Sequence, residues 1–343
     1  MPLSLLYAGL EGVVGDHKGC SIRHTVEYGI DVVYLENELL KVTILVGKGS
    51  EIFEIIYKKL DMDILLKTKN GLSAYKERNL HEQRLTWYSE LYTGGWQDVL
   101  PHRGIYEDIE VTPDMYGIAA TLPWDYELLE LSSEIVRIKC VVKLPVVPLY
   151  IEKTFCLRSN DPTIYIDETV ENTGASEMKF TWTQHSAFGG QFLDEHVEIV
   201  LPDCVAFHAR KFAAENQADL AQFEEAVDAI SLVNGSKHNL LKVSPRFANE
   251  ELFITLKNVS QPEVTLINRK KKVAVRLCWD MDSFPYLRYW YKNNDDLYTV
   301  AIEPSNDYFT NWEHSLAHGT YLTIQPREKH TVWLACKIYD VNE

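Results

Sequence analysis

The sequence predicts an all-β chain, a sandwich or barrel, with one short helical insertion. Three observations point there. Short segments alternate apolar and polar residues with period two, as half-buried strands do. Gly, Pro, Asn or Asp separates these segments at short intervals, supplying the turns. Nineteen Tyr, twelve Phe and eight Trp suit pleated surfaces packed on one side.

Taken in chain order, residues 163–172 put Ile164, Ile166, Glu168 and Val170 on one side. Residues 180–190 read Phe-Thr-Trp-Thr-Gln-His-Ser-Ala-Phe-Gly-Gly. Alternation there sets Phe180, Trp182 and Gln184 against Thr181, Thr183 and His185. Residues 212–230 break the pattern: they are rich in Ala, Glu and Gln, without Gly or Pro. Leu220, Phe223, Val227 and Ile230 are spaced for one helical stripe, so a helix inserted on the sheets is expected. Val273, Val275 and Leu277 share a face, and residues 321–333 carry two short apolar stretches around Pro326. In residues 297–304, Tyr298, Val300 and Ile302 oppose Thr299, Ala301 and Glu303, and Pro304 is expected to end the ladder. No repeat, low-complexity tract or long linker interrupts the chain, so residues 1–343 read as a single domain.

Bulk properties exclude several function classes. The net charge of −16 repels a phosphate backbone and an anionic membrane surface, leaving small ligands as the expected partners. No apolar run approaches the roughly 18 residues of a membrane span, and no basic residue precedes Lys18 to open a signal peptide. Six scattered cysteines without a CxxC pair fit a reducing compartment, so a cytoplasmic protein is expected. Neither a GxGxxG turn leading into a helix nor a P-loop, HExxH or GxSxG motif occurs.

The chemistry is carried by three segments. His185 and Glu303 each stand near a strand end among small or hydroxylated neighbours, as a cleft's acid–base groups would. Each has a bland alternative, a packed histidine and a solvated strand end. Residues 92–104 read Tyr-Thr-Gly-Gly-Trp-Gln-Asp-Val-Leu-Pro-His-Arg-Gly. That loop offers Trp96 as a flat apolar platform, with Gln97, Asp98, His102 and Arg103 as polar groups, a mixture suited to a sugar. A turn with a packed Trp is the alternative. His314 and His318, four apart with no third ligand nearby, are a weak metal pair. Asp280 and Asp282 fit a solvated turn before Pro285.

Together these segments resemble the aldose 1-epimerase (galactose mutarotase) superfamily over roughly residues 25–340. His185-Ser-Ala-Phe188 is similar to the family's His-x-x-Phe segment, whose histidine is the general acid. Ile302-Glu303-Pro304 with Asp307 resembles the late strand carrying the general base, and residues 284–290 resemble the substrate-facing strand before it. Gly94-Gly-Trp-Gln97 with Pro101 is similar to the Gly-Gly loop of divergent members. The resemblance implies a β-supersandwich of two large, mostly antiparallel sheets, a sugar substrate, anomer exchange by His185 and Glu303, and no metal or redox cofactor. Trp96, Gln97, His102, Arg103, Arg288 and Trp290 are the expected sugar contacts. Two departures separate the chain from the family. Tyr92-Thr93 replaces the histidine before the Gly pair, and residues 235–260 lack the family's substrate-binding aspartate, so galactose is not implied. The rival readings are a β-sandwich glycoside hydrolase or lyase, a non-catalytic sugar-binding protein and a sugar-phosphate mutarotase.

Overall fold

A computed structural model of the chain describes residues 19–69, 71–75, 92–102, 104–107, 109–111, 117–145, 147–208, 223–231, 236–308 and 312–341. Two large sheets dominate these residues. The larger has twelve strands. Its order runs Ser21–Glu27, Ile30–Glu36, Leu40–Leu45, Glu51–Tyr57, Trp96–Val99, Thr183–Phe188, Tyr298–Ser305, Tyr286–Asn293, Glu250–Lys257, Val205–His208 and Phe223–Glu225, with Met62–Asp63 pairing off Glu51–Tyr57. The smaller, of eight strands, runs Val197–Val200, Glu263–Asn268, Val273–Trp279, Lys329–Asp340, Thr163–Asn172, Leu149–Arg158, Ile135–Lys143 and Asp125–Leu131. Every pairing among these described strands is antiparallel.

One apolar core takes residues from both sheets. Phe155, Ile164, Ile166, Val170, Leu277 and Leu334 come from the smaller sheet, and Trp96, Phe188, Val300, Ile302 and Tyr289 from the larger. Each such side chain contributes about 1.5–3 kcal/mol on leaving water, so this shared face holds the two sheets together. Ile164, Ile166, Glu168 and Val170 are buried on one side of their strand, as the alternation predicts. The architecture is a two-sheet, antiparallel β-sandwich, as the sequence predicts. No described helix is long and apolar enough to cross a membrane.

Two expectations need correction. The helix over residues 212–230 is not found where that segment is described. Phe223–Glu225 is an edge strand paired with Val205–His208, and Ile230–Ser231 pairs with Lys237–His238. Edge pairing offers ladder hydrogen bonds that override the local helical spacing; residues 212–222 lie outside the described residues. The described α-helix is Trp312–His318 instead. Nor does Pro304 end its ladder, because the strand runs to Ser305 with Leu287 opposite Pro304 and Tyr286 opposite Ser305.

Candidate functional site

Strand register assembles a line of polar side chains across the larger sheet. Gln97 stands opposite His185, Glu303 opposite Arg288, and Arg288 opposite Thr255. The pairings Thr183 to Ser305 and Ser186 to Ile302 place His185 opposite Glu303. Directly opposed residues of antiparallel strands project to the same face. One row therefore reads Gln97, His185, Glu303, Arg288, Thr255 over five adjacent strands. Beside it run Ala187, Ala301, Trp290 and Phe253. The two alanines are buried in a small apolar cluster with Leu66, against which Tyr92 and Trp290 pack. The row faces away from the smaller sheet, since Trp96, Gln184 and Ile302, one residue off it, enter the intersheet core.

His185 and Glu303 meet. Nε2 of the histidine lies 3.4 Å from Oε1 of the glutamate, both side chains being almost fully buried. The imidazole, Tyr92 and Trp290 form a triangle of rings, with both aromatic centroids 5.7 Å from the imidazole and 6.4 Å from each other. This arrangement sets two aromatic rings beside the His185–Glu303 pair. Gln97 donates from Nε2 to the carbonyl of Gly94 at 2.5 Å, which ties the row to the loop bearing Tyr92. Gly94 and Gly95 both have positive φ, and a Cβ on Gly94 would meet the Leu66 carbonyl oxygen at 2.2 Å. The close approach therefore requires glycine there.

Arg288 is nearly buried and forms an ion pair with Asp307, Nη2 to Oδ2 at 3.4 Å. Its Nη1 lies 3.3 Å from His102 Nδ1. A guanidinium only donates, so Nδ1 is the unprotonated nitrogen of that ring. Asp307 in turn accepts from Ser315 Oγ at 2.8 Å and Thr320 Oγ1 at 2.6 Å, which anchors it to the helix Trp312–His318 and the turn after it.

Of the expected site residues, His185, Glu303, Gln97, Arg288, His102 and Trp290 come together. Trp96 does not. It is fully buried in the core, and its indole N–H donates to Gln184 Oε1 at 2.9 Å, so it offers no platform to a sugar. Position decides this, because Trp96 lies one residue from Gln97 and alternation turns it to the opposite face. Arg103 lies outside the described residues. Asp98 also faces the core, where it pairs with Lys153 and accepts from Gln184. Asp280 holds a turn at the end of a smaller-sheet strand, accepting from Ser283 Oγ at 2.7 Å. His314 and His318 lie on the helix with rings 6.5 Å apart.

Sequence reasoning missed Tyr92 as a ring beside His185, and missed the grip of Ser315 and Thr320 on Asp307. The proximity of Tyr92 to the Gly pair was a usable signal. Nothing local distinguishes Ser315 or Thr320.

The family model described as "Domain of unknown function (DUF4432)" matches residues 27–338. No curated protein matches the sequence. Among solved structures, a candidate aldose 1-epimerase from Klebsiella pneumoniae superposes with TM-score 0.70 at 13% identity, covering 95% of this chain and 85% of its own. A galactose mutarotase-like protein from Clostridium acetobutylicum gives TM-score 0.68 at 13% identity, covering 95% of this chain and all of its own. A candidate aldose 1-epimerase from Escherichia coli K12 gives 0.63 at 12% identity, covering 93% and 100%. At such identities the likeness is one of fold, and the fold is that of the galactose-mutarotase-like β-sandwiches.

Proposed function

The chain belongs to the DUF4432 family, and we propose that within it this protein is an aldose 1-epimerase, a single-domain isomerase of free sugars. The observation that carries the reading is the buried His185–Glu303 pair at 3.4 Å, set in a row with Gln97 and Arg288. Glu303 takes the proton of the anomeric hydroxyl while His185 gives one to the ring oxygen. The bond between the anomeric carbon and that oxygen breaks, leaving an open-chain aldehyde. Rotation about the adjacent carbon–carbon bond presents the other carbonyl face, and the proton transfers reverse. A carboxylate is a base at neutral pH and an imidazole exchanges its proton there, so no other group is required. Trp290 and Tyr92 supply the apolar surface for the sugar's C–H face, with Gln97, Arg288 and His102 for its hydroxyls. Six free cysteines support a reducing compartment, the cytoplasm.

Hydrolysis is less well supported. It ordinarily needs two carboxylates flanking the bond. Asp98 lies behind the sheet, Asp280 belongs to a turn of the smaller one, and both oxygens of Asp307 are engaged. A phosphorylated sugar gains little from Arg288, whose charge already faces Asp307.

Polarimetry on freshly dissolved aldoses and aldose phosphates tests the reading. We expect at least one neutral aldose to equilibrate faster with protein. Glu303→Gln and His185→Asn should each lower kcat by at least about 10²-fold with smaller effects on KM. A folded Glu303→Gln variant with unchanged kcat refutes the assignment, and sugar binding without turnover supports a non-catalytic protein instead.

A further inference from the structure

Arg288 and Glu303 stand directly opposite on neighbouring strands and project to the same face. Such partners have Cβ atoms about 4.5–5.5 Å apart, within easy reach of a guanidinium fork. Both are almost fully buried, where opposite charges attract far more strongly than in water. An ion pair between them is the arrangement to expect, yet none forms. The guanidinium turns along its own strand toward Asp307, with Nη2 3.4 Å from Oδ2 and Nε 3.4 Å from the Asp307 carbonyl oxygen. Oε1 of Glu303 accepts no hydrogen bond and has His185 at 3.4 Å. Asp307 is not free to yield. Ser315 and Thr320 hold its two carboxylate oxygens, and its backbone N–H donates to Ser305 Oγ at 3.2 Å.

We propose that Asp307 is a positioning residue that withholds Arg288 from Glu303, leaving the base open to the substrate's hydroxyl. The inference rests on the reading of Glu303 as the base. A carboxylate clasped by a guanidinium makes two parallel charge-assisted hydrogen bonds, and both must loosen before it can accept a proton. Asp307 removes that competition while keeping a cation in the row, where Arg288 can still meet a sugar oxygen.

The test is a double-mutant cycle with kcat and KM read separately. Asp307→Asn preserves shape but weakens the hold on Arg288, so kcat should fall by about 10–100-fold as Arg288 captures Glu303. In that background, Arg288→Gln should restore kcat at least about fivefold while KM rises. A double variant no faster than Asp307→Asn alone overturns the proposal, because a purely structural loss is not repaired by a second deletion. Should Asp307→Asn fail to fold, Thr320→Val takes its place by removing one hydroxyl that holds the Asp307 carboxylate. Its kcat should fall, Arg288→Gln added to it should restore part of that loss while KM rises, and no restoration overturns the idea. A crystal structure of Asp307→Asn separates this inference from the functional reading, since it needs no activity. The guanidinium is expected within ion-pairing distance of Glu303. If it stays beside the substituted side chain instead, the restraint is refuted even if the protein turns over no sugar.

Discussion

Individual residues divide between the two faces of the larger sheet, and the division sets what each substitution does. Asp98 and Glu303 are both buried carboxylates, but only Glu303 lies in the row with His185. Asp98 serves the intersheet core with Lys153, Gln184 and Glu168, the last lying 3.9 Å from Lys153 Nζ and accepting from Gln184 Nε2 at 3.1 Å. Asp98→Asn strips Lys153 of its near partner and should destabilise by up to about 3–5 kcal/mol, read as a lower melting temperature. In the folded fraction, kcat should stay within about tenfold. Glu168 has its carboxyl pushed well above the usual range, first by burial and then by Asp98. Between the ordinary value of 4.5 and the raised one, the folded chain holds a proton there that the unfolded chain has given up. The stability due to that proton is complete below the unfolded value and is lost as pH rises through the raised folded one. Glu168→Gln keeps a neutral side chain at every pH. Its melting temperature should gain on the wild type as pH rises above about 4.5, and a constant difference between pH 5 and 9 would contradict a raised Glu168 carboxyl.

Elements position the site through close backbone contacts. The Gly94-Gly95 segment is clasped between Leu66, whose carbonyl accepts from Gly95 N, and the His185 strand, where Ala187 N donates to Gly95 O. Gly95 has φ +84°, and a Cβ there would meet the Ile52 carbonyl oxygen at 2.5 Å. Gly95→Ala should cost at least about 1–3 kcal/mol and displace Tyr92 and Gln97 from His185. Both melting temperature and kcat should fall, whereas a loss of stability with unchanged kcat would detach the loop from the chemistry. The edge strand Phe223–Glu225 teaches the opposite lesson. Its residues carry a helical spacing, but an open sheet edge at Val205–His208 offers them paired hydrogen bonds.

Among the described residues, two large sheets share a mainly apolar face, and the outer face of the larger one carries the candidate site. Building an acid–base row on five adjacent strands gives each group a fixed backbone and a short distance to the next. Because the proposed chemistry moves only protons, exhaustive dialysis against a strong chelator should leave the mutarotation expected of the protein, and its melting temperature, unchanged. Loss of activity that zinc restores would reopen the metal reading of His314 and His318.

Strand faces were legible in the sequence because period-two alternation is a property of local covalent geometry. Tyr298, Val300 and Ile302 were separable from Thr299, Ala301 and Glu303 without knowing any neighbour, and so were Thr183 and His185 from Gln184. The same rule also assigns Trp96 and Gln97 to opposite faces, but which face met the other sheet was not a local matter. Tertiary structure decided that, sending Trp96 and Asp98 inward and Gln97 to the site. It also decided register, bringing residues 97, 185, 303 and 288 into one row. Register depends on the summed packing of strands far apart in sequence, where a slip of one residue would reverse every side chain; no single segment contains that sum.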